Sequence, residues 1–213
     1  MKKSSRRELN KIHCRSRILK ASRRLFGVKG YEETTIEDVA EKARISKATL
    51  YNYFPSKESL LIGIAEDELE QIQRLIEADL KEEPNSLVKL YRVLEAFILD
   101  SIPYISLSRK ITYLNSCEGS VLYATRLNMI RMIRQLVEDA QQQGHLRLDV
   151  PVDDIVDMVM SIYLMSQFEW SHIADYTEDF CRKKLRRFFE QILSGVCIRP
   201  FGEILPFSAD QSE

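Results

Sequence analysis

The sequence predicts an all-α protein, and three observations carry that expectation. Seven glycines and six prolines in 213 residues are roughly half the usual share, too few for the turns an all-β fold consumes. Apolar residues recur at helical spacing in one segment after another, and no segment reads convincingly as a strand. With 45 % hydrophobic and 30 % charged residues and no repeat or low-complexity tract, the chain lies on the globular side of disorder and is long enough to bury a core without disulfides or metal.

Taken in order, about nine helices are expected. From Leu9 to Val28 the positions Ile12, Ile18, Leu19, Ser22, Leu25 and Phe26 share one face, arginine and lysine fill the other, and Gly27 and Gly30 flank the stop. Thr35 announces a second helix as its cap, with Asp38 three residues on completing a capping box; Ile36, Val39, Ala40 and Ala43 form its buried stripe. Arg44, Ile45 and Ser46 make a three-residue break. Lys47 to Phe54 is about two turns, too short to stand alone, so Leu50 and Phe54 must anchor it before Pro55 ends it.

A long helix then runs from Ser56 to about Lys81, with Leu60, Leu61, Ile64, Leu69, Ile72, Leu75, Ile76 and Leu80 in period, and is suited to join two bodies rigidly. Glu82 to Asn85 break the chain; helices follow over Ser86–Ser101, Ile105–Ser116 after the Pro103 corner, and Val121–Gln143, where Gly144 stops the last. Val152 to about Trp170 is apolar nearly all round, and Thr177–Val196 carries a broad stripe of Phe180, Leu185, Phe188, Phe189, Ile192, Leu193 and Val196. A monomer offers one core, so this pair reads as a dimer interface through Val156, Val159, Tyr163, Leu185, Phe188, Phe189 and Ile192; the alternative is the centre of a large bundle. The expected domains are 1–55, with residues 1–8 as a flexible basic arm, then 56–198, then a loosely held tail over 199–213.

Charge is unevenly shared. Residues 1–59 hold fifteen basic against seven acidic residues, net +8, whereas the remainder is net −9. A basic head on an acidic body is the footprint of a module that meets a polyanion. Two helices joined by a three-residue break describe a helix-turn-helix, whose second helix is presented to the major groove. With Leu50 and Phe54 inward, Lys47, Ala48, Thr49, Tyr51, Asn52 and Tyr53 are left outward. Lysine can reach phosphate or guanine, asparagine can pair with adenine, alanine and the threonine methyl can touch thymine methyls, and tyrosine hydroxyls can donate to phosphates.

The segment Thr34 to Leu61, TTIEDVAEKARISKATLYNYFPSKESLL, closely resembles the DNA-binding signature of the TetR family of bacterial transcriptional regulators, with its LYNYF and PSKESL segments. The resemblance is strong over about residues 11–62 and only architectural beyond. It implies base contacts from Lys47, Ala48, Thr49, Tyr51 and Asn52, and phosphate contacts from Thr34, Thr35, Tyr51, Tyr53 and Lys57. Arg44 departs from the family's usual glycine in the turn; it either carries a small left-handed strain or adds a phosphate contact.

The resemblance further implies a ligand-responsive regulator, a repressor, that binds an inverted-repeat operator as a homodimer and is released by a small-molecule effector. Two recognition helices would sit about 34 Å apart in successive major grooves. Candidates for an apolar or aromatic effector pocket are Phe97, Tyr104, Tyr113, Cys117, Tyr163, Gln167 and Trp170. No cofactor is expected. The alternatives are an all-α enzyme, disfavoured because no nucleophile elbow, phosphate loop, dinucleotide fingerprint or H-E-x-x-H motif occurs, and a protein-binding helical adaptor, which leaves the basic head unexplained.

No apolar stretch is long enough to span a bilayer, and the basic start lacks the apolar run of a secretory signal, so a cytoplasmic protein without membrane attachment is expected. Four cysteines without C-x-x-C spacing and three scattered histidines suggest neither a disulfide framework nor a metal site. A redox-sensing variant would use Cys117 or Cys181.

Overall fold

A computed structural model of the chain describes residues 6–173 and 176–204. The start of the expected basic arm, residues 1–5, and residues 205–213 of the expected tail lie outside the described residues. Each helix expected from the sequence is present: α1 (Arg6–Val28), α2 (Ile36–Lys42), α3 (Lys47–Tyr53), α4 (Lys57–Arg74), α5 (Ser86–Ser101), α6 (Ile105–Asn115), α7 (Tyr123–Gln142), α8 (Val152–Phe168) and α9 (Glu178–Leu193), with a one-turn α10 (Phe201–Ile204) beyond them. No strand occurs among the described residues; a single antiparallel bridge pairs Leu146 with Cys197.

Two boundaries differ from expectation. Arg6, Arg7 and Glu8, assigned to a flexible arm, form the first turn of α1. The long helix does not stay α-helical to Lys81; Leu75–Asp79 is a π-helical turn, closed by the Leu80 amide reaching back to the Leu75 carbonyl at 2.9 Å. The chain after α9 is held as far as Ile198, whose amide donates to the His145 carbonyl while the Arg147 amide donates to Val196.

The described chain divides into two compact units. The first comprises residues up to Glu68 with Pro103–Thr125, the second Leu69–Ile102 with residues from Arg126 on, so the division falls inside α4. A boundary drawn at residue 55 does not anticipate that α6 returns to the head. There Leu107 and Ile111 join Ile18, Leu19, Phe26, Val39, Leu50, Phe54, Leu60 and Ile64 in one buried cluster.

Gly63 shows how tightly this head is packed. A β-carbon placed on it would lie 2.6 Å from Cε1 of Phe54 and 2.9 Å from Cδ2 of Leu19, closer than carbon atoms tolerate. The glycine lets α4 approach the anchor of α3. Gly63→Ala is expected to destabilise the protein by about 1–3 kcal/mol through overpacking, lowering Tm by about 2–4 °C per kcal/mol. An unchanged thermal midpoint would show that the head accommodates the methyl.

The second unit is built on α5, α8 and α9, each of which packs on the other two. This arrangement corrects the reading of the last two helices. Val156, Val159, Tyr163, Leu185 and Phe189 are all buried by their own chain. The nearly continuous apolar character of α8 follows from its place between two neighbours, so these five side chains are core. Of the interface residues expected, only Phe188 and Ile192 keep partial exposure. The outer face of α8 instead carries Ser161, Leu164, Met165 and Phe168, which recur at helical spacing and are exposed or half-exposed.

Candidate nucleic-acid interface

The head is organised by two capped short helices. Thr35 caps α2 as expected: its hydroxyl accepts from the Asp38 amide at 3.1 Å, and the Asp38 carboxylate accepts from the Thr35 amide at 2.8 Å. The same carboxylate pairs with Lys29 at 2.6 Å. The Lys29 hydrogen bond, with two more from Thr35, holds the Asp38 carboxyl down at about 2. Such caps contribute about 1 kcal/mol each, which matters for a helix of seven residues.

The turn follows the chain's unusual choice at position 44. Arg44 has φ 54°, the only positive φ of a non-glycine residue among those described, so it occupies the left-handed region that glycine fills without cost. Its amide donates to Glu41 and that of Ile45 to Ala40, closing the end of α2. Of the two readings of Arg44, left-handed backbone is the observed one. Ser46 then caps α3 by accepting from the Thr49 amide at 3.1 Å.

Leu50 is fully buried and Phe54 is 5 % exposed, so α3 is anchored as its spacing predicts. Lys47, Ala48, Tyr51 and Asn52 are exposed and line the outward face. Lys47 pairs with Glu37 of α2, and its ammonium lies 5.9 Å from the Tyr51 ring centroid. The hydrogen bond that Lys47 donates to Glu37 raises the lysine pKa and lowers that of the carboxyl. Both groups are at the surface, where such a pair is weak and a phosphate can replace the carboxylate.

The residues expected to hold phosphate fare differently. Thr34 is 1 % exposed and donates its hydroxyl to the Gly30 carbonyl at 2.7 Å, because Gly30 at φ 96° folds the loop over it; that hydroxyl is unavailable to DNA. Thr35 is exposed, with its oxygen used by the cap. Thr49 is half-buried with its hydroxyl 2.7 Å from that of Ser46, and Tyr53 is half-buried against the cluster of the head. Lys57 donates to the carbonyls of Glu32 and Thr34 at 3.0 and 3.1 Å, so it clamps the loop between α1 and α2.

That loop is also held by residues the sequence did not mark. The ammonium groups of Lys57 and Lys110 lie 4.5 and 4.3 Å from the centroid of Tyr31, and Lys110 pairs with Glu32. Burial, with the charges of Glu58 and Glu32, pushes the Tyr31 hydroxyl up to about 12. Lys110 stands 78 residues from Glu32, and no local pattern in α6 connects them.

The family model described as "Bacterial regulatory proteins, tetR family" matches residues 18–64, the stretch whose geometry is given above. Over that stretch the head of this chain is similar to the DNA-binding head of tetR-family regulators. The chain is 43 % identical over 47 residues to the HTH-type transcriptional regulator YuxN of Bacillus subtilis, covering 22 % of this chain and 16 % of YuxN. It is 34 % identical over 76 residues to the biofilm operon icaADBC negative transcriptional regulator IcaR of Staphylococcus aureus, covering 36 % of this chain and 41 % of IcaR. The matched part thus spans less than half the length of either relative. In fold, it resembles the transcriptional regulator FadR of Bacillus subtilis in complex with stearoyl-CoA, with a TM-score of 0.70 and 19 % identity over 85 % of this chain and 98 % of that one. The likeness of fold to that regulator therefore covers most of the chain.

Beyond this head, the seven candidates for an effector pocket do not share one unit. Tyr104, Tyr113 and Cys117 belong to the first, where Tyr113 is 65 % exposed and Cys117 is exposed; neither builds an enclosed wall there. Phe97, Tyr163, Gln167 and Trp170 belong to the second and are buried. The rings of Phe97 and Tyr163 meet edge-on at 5.8 Å, Gln167 donates to the hydroxyls of Ser101 and Ser166 at 3.2 and 3.1 Å, and the Trp170 indole nitrogen finds no acceptor among the described residues. Cys181 is buried, and burial raises its thiol pKa; it lacks the thiolate character of a redox sensor. Among the described residues no helix is long and apolar enough to cross a membrane.

Proposed function

We propose that this chain is a ligand-responsive transcriptional repressor that binds an inverted-repeat operator as a homodimer. The observation that carries the reading is the outward face of α3, where Lys47, Ala48, Tyr51 and Asn52 stand exposed on a helix fixed from behind by Leu50 and Phe54. That set supplies a cation, a small side chain, a phenol and an amide, the groups used to read base edges and hold phosphates in a major groove. IcaR, a negative regulator by name, supports repression as the outcome.

The effector site belongs in the second unit, among Phe97, Tyr163, Gln167 and Trp170. Their aromatic walls with one amide and one unsatisfied indole N–H suit a mainly apolar molecule carrying a hydrogen-bond acceptor. The stearoyl-CoA bound by FadR makes a fatty acyl-CoA the first molecule to try. Release follows if the effector prefers a shape of the dimer whose α3 helices are wrongly spaced, and linkage then requires DNA to weaken effector binding by the same factor. α4 belongs to both units and is the covalent route for that coupling.

The test is fluorescence anisotropy with a duplex covering the DNA upstream of the chain's own gene, titrated with and without stearoyl-CoA. Tight binding that exceeds binding to an unrelated duplex and falls on addition of the acyl-CoA is the expected result. Absence of binding at low ionic strength defeats the DNA reading; binding indifferent to stearoyl-CoA defeats that choice of effector.

A further inference from the structure

The first turns of α1 extend past the core of the head. Residues 6–13 are all exposed, including Leu9 at 45 % and Ile12 at 59 %; α1 first becomes buried at Ile18. An isolated helical overhang gains nothing from packing and is marginal in water. Its sequence makes this worse. Arg7, Lys11 and Arg15 fall at i, i+4 and i+8 along one face; Arg15 is paired with Glu66 of α4 at 3.4 Å, and Arg7 and Lys11 remain as like charges one turn apart, which destabilises a helix. From Leu9 to Tyr31 there is no acidic residue, so only Glu8 offsets the overhang from within.

The direction of that face is set by the rest of α1. Arg7 and Lys11 continue, eleven and seven residues back, the face that buries Ile18, and they stand on the side on which α1 meets α3. Cys14 and Tyr53 pack against the same buried cluster, and the Arg15 guanidinium lies 5.9 Å from the ring centroid of Phe54. The end of the outward-reading helix therefore abuts α1 where the overhang begins. From Cys14, Lys11 and Arg7 reach about 5 and 10 Å further along the axis at 1.5 Å per residue. Lys20 and Arg24 lie on the opposite, solvent face of α1 and are exposed.

We infer that the overhang of α1 is a second DNA-binding element, in which Arg7 and Lys11 bind phosphates of the duplex flanking the segment read by α3. A polyanion relieves the repulsion between Arg7 and Lys11 and continues the charge of the neighbouring surface. These contacts add affinity without sequence preference, since phosphates carry no base information. The inference rests on the DNA-binding reading above and extends it to residues outside the matched segment 18–64.

The test compares the full chain with Arg7→Ala/Lys11→Ala and with Lys20→Ala/Arg24→Ala, each binding a 30-base-pair duplex from upstream of its own gene and an unrelated 30-base-pair duplex across a series of salt concentrations. Each phosphate contact contributes about 0.9 to the slope of log K against log salt. With Arg7 and Lys11 lost from both protomers of the dimer, the first variant is expected to lose about 3.6 of that slope on both duplexes, while the second keeps the parent's slope. Equal losses in both variants would reduce the effect to net charge, and an unchanged slope in the first would place the overhang off the DNA; either overturns the inference. Failure of the parent chain to bind either duplex would instead defeat the DNA reading itself.

Discussion

Lys47→Ala combined with Asn52→Ala is expected to weaken binding to a specific duplex by about two to four orders of magnitude while leaving the fold intact. Each side chain that pairs with a base edge is worth about 1–3 kcal/mol of discrimination, and each factor of ten corresponds to about 1.4 kcal/mol. Both side chains are exposed, so truncation opens no cavity, and alanine favours helix more than either. The two differ in kind. Asn52 offers an amide matched to adenine, so its loss should relax preference among sequences and spare binding to random duplex. Lys47 is tied to Glu37; removing it also leaves a carboxylate facing the DNA, so its loss should weaken every duplex. Anisotropy titrations of both single variants and the double, beside circular dichroism melts, separate these outcomes. A lowered melting point with unaltered affinity per folded molecule would place the residues in the structure and not in the interface.

Much of this head is legible because it is local. The Thr35 and Asp38 pair and the Leu50 and Phe54 anchors are all determined within four residues of sequence, and the structure forms each one. What escaped the sequence depends on segments far apart. Lys110 and Tyr31 meet only because α6 returns to the first unit. Thr34 looks like a surface hydroxyl beside Thr35, yet the backbone turn at Gly30 buries it. Periodicity likewise reports that a side chain of α8 is covered, and not by what: neighbours in the same chain and a second copy leave the same apolar pattern. That ambiguity misplaced Val156, Val159, Tyr163, Leu185 and Phe189 at an interface.

The same distinction gives the last prediction its force. If two copies pair through α8 and α9, the pairing surface must be what the protomer leaves uncovered: Ser161, Leu164, Met165 and Phe168 of α8 with Phe188 and Ile192 of α9. Met165 is 37 % exposed, so Met165→Arg can be accommodated by a folded monomer but places a charge in a desolvated interface, where an unpaired charge costs several kcal/mol. The native mass is expected to fall from twice to once the 24.9 kDa of the chain. Binding to an inverted repeat should fall with it by about two to four orders of magnitude, because the second head loses the high effective concentration that its tethered partner enjoys. Val159→Arg is the contrasting variant. Val159 is fully buried within the protomer, and the substitution should unfold the second unit, which a loss of helical signal would reveal. Should Met165→Arg remain dimeric at micromolar concentration, the two-fold surface lies elsewhere; should Val159→Arg give a folded monomer, the side chains buried in α8 belong to the interface after all.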